Sequence, residues 1–223
     1  MHRRQLLIQH LADTLRLYVL TDRGLSRGRD DLTVVADAID GGATAIQLRW
    51  KTGPLTEAVR VGRALQRLCR ERGVLFVVND RVDLALALEA DGIHVGVDDL
   101  PLRETRALVG NRMVVGYSPP TLGAALAAVE DGADYLGIGP VYATSTKGDA
   151  GGPVGVEQVA RVTSEVGLPV VGIGGIGAAE AGAVVAAGAA GVAIISAVVG
   201  ADDVRAAARE IRSEVDRALR ERR

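Results

Sequence analysis

One unit recurs eight times along this chain: a short β-branched run, a turn, an Ala/Leu-rich helical stretch, and a glycine-containing turn into the next run. Short apolar runs bounded by turn signals read as strands buried on both faces. They fall near 17–21, 45–48, 75–78, 92–95, 114–117, 135–138, 170–173 and 192–195. Helical spacing occupies the gaps near 31–41, 55–72, 81–89, 102–109, 121–131, 155–166, 177–187 and 202–220. Several helix-to-strand turns look alike, such as Gly42-Ala43-Thr44-Ala45 and Gly132-Ala133-Asp134-Tyr135, and glycine there supplies a cap that ends a helix. Eight such units with right-handed crossovers can close on themselves and leave no open edge. The expectation is an α/β protein, a (β/α)8 TIM barrel with parallel strands, forming a single domain over 1–223. An N-terminal helical extension over 1–14, with its helix near 3–13, would plug the barrel floor or pack outside it.

Composition agrees with that reading. A barrel typically needs roughly 200 to 250 residues, and this chain has 223, with 48% hydrophobic but only 3% aromatic residues. The core must therefore be built of Val, Ile, Leu and Ala. A net charge of −2 offers no electrostatic footprint for nucleic acid. The one cysteine, Cys69, has no intramolecular disulfide partner and sits in a helical pattern, where it reads as a buried or half-buried thiol and not a nucleophile. No apolar run follows Arg3 and Arg4, so no signal peptide is read. Residues 181–201 are uncharged and long enough for a bilayer, but they are rich in Ala and Gly and divide into a helix, a turn and a strand. A cytoplasmic protein without a membrane span is expected; a homo-oligomer is left open.

Reactive groups of such barrels sit where strands end and the next loops begin. The second strand ends Gln47-Leu48-Arg49-Trp50-Lys51. Alternation sends Gln47, Arg49 and Lys51 to the mouth and Ile46, Leu48 and Trp50 toward the helices. Cations there need a partner, which is either an anionic ligand such as a diphosphate or an acidic side chain across the barrel. The third strand ends Asn79-Asp80 and the fourth leads into Val97-Asp98-Asp99. Neighbouring strands lie roughly 4.8 Å apart, so Asp80 and one of the later carboxylates can share a site. Mg²⁺ takes one or two carboxylates plus phosphate oxygens; the competing role for Asp98 or Asp99 is a cap on the helix after Pro101. After the sixth strand, Thr144-Ser145-Thr146-Lys147 opens a polar, glycine-rich stretch over 143–154, long enough to suggest function. Gly174-Gly175 and Ile195-Ser196 follow strands seven and eight, where barrels usually hold phosphate. His94, inside the fourth strand, reads as a core residue or hydrogen-bond partner.

These runs, together with Tyr18-Val19-Leu20-Thr21-Asp22, Asn79-Asp80-Arg81-Val82-Asp83-Leu84-Ala85, Ala90-Asp91-Gly92-Ile93-His94, Asp98-Asp99-Leu100-Pro101, Gly139-Pro140-Val141 and Ile173-Gly174-Gly175-Ile176, resemble the thiamine-phosphate synthase family in order and spacing from about residue 17 to residue 199. The resemblance implies a transferase acting on small phosphorylated substrates. Hydroxymethylpyrimidine diphosphate would lose pyrophosphate to leave a pyrimidine-methyl cation, which hydroxyethylthiazole phosphate captures. It implies that Gln47, Arg49, Lys51, Asn79, Ser118 and Lys147 hold the pyrimidine diphosphate, with Arg49, Lys51, Ser118 and Lys147 catalytic. It also implies that Asp80 and Asp99 bind Mg²⁺, and that Thr144, Ser145, Thr146, Gly175, Ile195 and Ser196 hold the thiazole phosphate.

Three positions depart from the family pattern. Trp50 stands in place of the usual Glu, Val97 in place of a usual Gln, and Pro120 in place of a histidine. That histidine is the one a thiazole tautomerase of the same superfamily would use, so its absence argues against the tautomerase. A non-catalytic phosphate-binding barrel would not need Lys51, Asp80, Asp99 and Lys147 together.

Overall fold

The computed structural model describes residues 3–144, 146 and 152–222. Eight parallel strands close into a barrel in the sequential order β1 to β8. They are β1 (Leu17–Leu20), β2 (Ala45–Leu48), β3 (Leu75–Asn79), β4 (Gly92–Val95), β5 (Val114–Tyr117), β6 (Tyr135–Ile138), β7 (Val170–Ile173) and β8 (Gly191–Ile194). The chain ends of the sheet meet where Tyr18 of β1 pairs with Ala193 of β8, so neither edge strand is left open.

Side-chain alternation divides the core in two. Leu17, Val19, Ile46, Leu48, Phe76, Val78 and Ile93 face outward into the layer shared with the helices. Tyr18, Leu20, Ala45, Leu75, Val77, Val114 and Tyr135 face inward and fill the barrel. The inner cluster continues into Leu11 and Leu15. The N-terminal extension therefore plugs the barrel floor. It does so as two pieces, α1 (Arg3–Gln9) and α2 (Leu11–Thr14), because the chain leaves helical geometry at His10.

The outer helices are α3 (Asp31–Asp40), α4 (Leu55–Arg72), α5 (Val82–Ala87), α6 (Leu102–Val109), α7 (Leu122–Glu130), α8 (Gly155–Glu165), α9 (Ala178–Ala186) and α11 (Val204–Glu221), with a short α10 (Ser196–Val199) after β8 that periodicity did not reveal. Their ends follow from local chemistry. Asp30, Thr121 and Asp203 accept the third backbone N–H of α3, α7 and α11. The uncharged stretch 181–201 is divided among α9, β8 and α10. Among the described residues no helix is long and apolar enough to cross a membrane.

Two of the repeated turns contain an aspartate with a structural task that spacing did not show. Asp91 accepts the N–H of Phe76 and Asp134 accepts the N–H of Val115, so each ties its turn to the start of a strand. Asp134 is also paired with Arg106 at 2.6 Å.

Candidate active site

The loops at the C-terminal ends of the strands enclose a cavity of about 560 Å³. Its lining includes Arg49, Lys51, Asn79, Asp80, Asp99 and Ser118 toward one side. Thr144, Thr146, Gly175 and Ser196 line it toward the other and also border an adjoining recess that reaches Asp22 and Leu25. Ser145, Lys147 and most of the loop that follows lie outside the described residues.

The end of β2 delivers its cations as alternation requires, and both meet carboxylates. Arg49 Nη1 lies 2.6 Å from Asp22 Oδ2, with the guanidinium largely buried. Its backbone N–H is held by Thr21 Oγ1. Lys51 Nζ lies 2.5 Å from Asp80 Oδ2, with half of the lysine side chain still exposed. Both acids come from the ends of the adjacent strands β1 and β3 and not, as expected of an acidic partner, from across the barrel. Gln47 departs from expectation in position. It does not line the cavity but is buried beneath it, at 2% exposure, donating from Nε2 to Tyr18 Oη. Its Oε1 has no hydrogen-bond partner among the described residues.

Asp80 has a left-handed backbone, φ 61°, where β3 turns over the barrel rim. Such a conformation is uncommon outside glycine, and aspartate tolerates it better than most residues. The turn is fastened by the Asp80 N–H donating to the His94 carbonyl. It brings the carboxylate close enough to Asp99 for each to shift the other's ionisation. Asp99 Oδ2 accepts the Gly96 N–H at 2.7 Å, which aims that side chain back toward β4. Neither Asp98 nor Asp99 caps α6, whose first turn follows Pro101 without a side-chain cap. Burial raises the Asp80 carboxyl, but its contacts with Lys51 and Asp99 outweigh this and hold it below the ordinary carboxylate range. Asp99 is pushed up, first by burial and then by the neighbouring Asp80. Two carboxyls driven apart in this way call for a proton or a cation between them. The donor set suits Mg²⁺, which accepts two protein carboxylates and takes its remaining oxygens from water and phosphate. Among the described residues no group of three or more His, Cys, Asp or Glu is assembled, so such an ion would depend on its ligand.

On the opposite side, Gly175 has φ 66°, and a Cβ there would meet the Ala143 carbonyl at 2.6 Å. Only glycine lets the loop after β7 lie this close to the loop after β6. Ser196 opens α10 beside it, while the N–H of Gly177, the residue that precedes α9, donates to Glu180.

Trp50 packs on the outer core against the helices, with its indole N–H donating to Gly53 and the Arg23 guanidinium 4.0 Å above its ring. Val97 and Pro120 line the cavity, Val97 at its exposed edge. Sequence reasoning missed Tyr18 and Tyr135, which stand at the centre of the barrel below the cavity. Their hydroxyls are 3.0 Å apart. The available signal was the placing of two of only four tyrosines at inward strand positions in an aromatic-poor chain.

A closed parallel barrel with a charged and hydroxyl-lined cavity over the C-terminal ends of its strands defines a (β/α)8-barrel of the kind that carries active sites on this face. The family model described as thiamine monophosphate synthase matches residues 17–198, and the chain belongs to that family. It is 50% identical over 208 residues to thiamine-phosphate synthase of Chloroflexus aurantiacus, covering 93% of this chain and 95% of that one. It is 52% identical over 202 residues to thiamine-phosphate synthase of Moorella thermoacetica, covering 91% and 96%. Among solved structures it is similar to thiamine phosphate pyrophosphorylase from Pyrococcus furiosus, with a TM-score of 0.86, 42% identity, and coverage of 94% of this chain and 99% of that one.

Proposed function

We propose that this chain is a transferase that joins hydroxymethylpyrimidine diphosphate to hydroxyethylthiazole phosphate, yielding thiamine phosphate and pyrophosphate. In the reaction the bond between the pyrimidine methylene carbon and the diphosphate oxygen breaks, and its electron pair leaves with pyrophosphate. The thiazole nitrogen lone pair then forms the new carbon–nitrogen bond.

The observation that carries this reading is the gathering of Arg49, Lys51, Asp80, Asp99 and Ser118 on one side of a single cavity, with Thr144, Thr146, Gly175 and Ser196 on the other. Departure of pyrophosphate requires that growing negative charge be stabilised where it forms. Arg49, Lys51 and Lys147 supply fixed positive charge; Asn79 and Ser118 supply neutral donors, and Gln47 lies beneath them. Asp80 and Asp99 would hold Mg²⁺, which when bound neutralises charge on the diphosphate oxygens. Thr144, Ser145, Thr146, Gly175, Ile195 and Ser196 would hold the thiazole phosphate by hydroxyl and backbone donors, presenting the ring nitrogen to the methylene carbon.

Incubating the protein with both substrates and Mg²⁺, then oxidising the products and reading thiamine phosphate by fluorescence, tests the proposal. Product is expected with Mg²⁺ and not after chelation. Binding of both substrates without product would overturn the transfer reaction, and undiminished product under chelation would overturn the metal assignment.

A further inference from the structure

Beneath the cavity runs an unbroken line of polar side chains crossing the barrel from β2 to the end of β5. Gln47 Nε2 donates to Tyr18 Oη at 2.6 Å. Tyr18 Oη lies 3.0 Å from Tyr135 Oη. Tyr135 Oη lies 3.0 Å from His94 Nδ1, and His94 Nε2 lies 2.9 Å from Ser118 Oγ. Room for the line is built into the strands. A Cβ on Gly116 would meet the Tyr135 ring at 2.1 Å and His94 Nδ1 at 2.4 Å. In the register of the barrel, Gly116 stands between His94 of β4 and Tyr135 of β6. Both phenols are fully buried, and burial raises their pKa values, so each keeps its proton at neutral pH.

The line has a direction. With Nε2 toward Tyr18, the atom of Gln47 left without a partner is one carbonyl oxygen. The reversed amide would strand both N–H donors in the interior where this one leaves at most one, and orphaned buried donors are rarer than under-satisfied acceptors. Tyr18, accepting from Gln47, has its own proton to give to Tyr135. Tyr135, accepting from Tyr18, gives its proton to His94 Nδ1. The imidazole then carries its proton on Nε2 and donates it to Ser118. A hydroxyl that accepts from the histidine has its own proton turned away from the ring, toward the cavity that Ser118 lines.

We propose that Tyr18, Tyr135 and His94 are positioning residues that form a one-way hydrogen-bond relay, fixing Ser118 as a donor to an acceptor atom of the bound substrate. This rests on the transfer reaction proposed above. In that reaction Ser118 meets the substrate from the cavity lining while Gln47 lies beneath it, and the relay ties the two together. A serine held the other way, donating to the imidazole, would offer the diphosphate a lone pair instead of a proton.

The test begins with nitrogen NMR of histidine-labelled wild-type protein without substrates at neutral pH, where His94 is expected as the Nε2–H tautomer. An Nδ1–H tautomer or a doubly protonated ring would overturn the relay. Tyr135→Phe is expected to turn His94 into a mixture of tautomers. It should lower kcat roughly tenfold, about the worth of one hydrogen bond, with KM for the thiazole phosphate unchanged. In a Ser118→Ala background the same change should cost nothing further, because its effect passes through the serine. A full tenfold penalty in that background would overturn the proposal. Tyr18→Phe repeats the test one link earlier, and the wild-type tautomer decides if either variant fails to fold. Since the tautomer is read without turnover, failure of wild-type protein to make thiamine phosphate would strike the reaction assignment separately.

Discussion

Lys51 Nζ and Asp80 Oδ2 stand 2.5 Å apart, joining the cationic end of β2 to the acidic turn after β3. The pair places a positive charge and one of two neighbouring carboxylates at the same corner of the cavity. If that corner holds the metal–diphosphate unit, Asp80→Ala should lower kcat/KM by at least roughly a hundredfold, or about 2.7 kcal/mol of transition-state stabilisation. Folding should weaken by about 1 kcal/mol, because alanine fits the left-handed backbone at φ 61° less well than aspartate, while Lys51 remains half exposed once its partner is gone. Steady-state rates across a Mg²⁺ titration check this; near-wild-type activity at saturating Mg²⁺ would remove the metal role from Asp80.

Trp50 occupies the position where the family resemblance leads one to expect glutamate, yet its ring lies under Arg23 on the helix side of the sheet. Trp50→Glu should therefore change kcat/KM by less than about tenfold while costing on the order of 1 kcal/mol through lost cation–π and packing contacts. Parallel thermal melts and rate measurements decide it. A large gain in activity at unchanged stability would show that this side chain acts on the substrate.

Cys69 is fully buried on α4, and burial followed by the nearby Asp91 pushes its thiol up to about 12. Only the thiolate is nucleophilic, and a raised pKa means the thiol keeps its proton throughout the neutral range. Iodoacetamide at pH 8 should leave the native protein unlabelled and modify it fully after denaturation, as read by mass spectrometry. Rapid native labelling would show that α4 opens locally.

Asp134 and Arg106 are nearly buried, and Arg106 also donates to the carbonyls of Gly110, Met113 and Gly132. Removing the acid leaves a guanidinium without its carboxylate and the Val115 N–H without an acceptor. Asp134→Ala should cost roughly 3–5 kcal/mol. Asp134→Asn, which keeps an acceptor for the strand, should cost less. Urea unfolding measures both, and equal losses would mean that charge pairing with Arg106 dominates and the strand contact contributes little.

Much of the architecture was legible because it depends on local periodicity. Strand and helix boundaries agree closely with the expected runs, as the apolar stretches are short enough to be buried on both faces and several helices are bounded by a glycine, as α3 and α4 are at Gly41 and Gly73, or by a capping oxygen, as α3, α7 and α11 are. Alternation along one strand was enough to separate Arg49 and Lys51 from Trp50, and the order of motifs was enough to suggest the family. What no local pattern contains is the pairing of residues distant in sequence. Asp22 for Arg49, Asp80 beside Asp99 and not a helix cap, and Gln47 beneath the cavity all depend on barrel closure and on the angle at which each turn leaves the sheet. The line from Gln47 through Tyr18, Tyr135 and His94 to Ser118 draws on five segments spread over residues 18–135. Tyr18, Tyr135 and His94, taken alone, read as ordinary strand positions. Only the closed barrel, with Gly116 giving up its side-chain volume between two neighbours, brings their polar atoms into hydrogen-bonding contact.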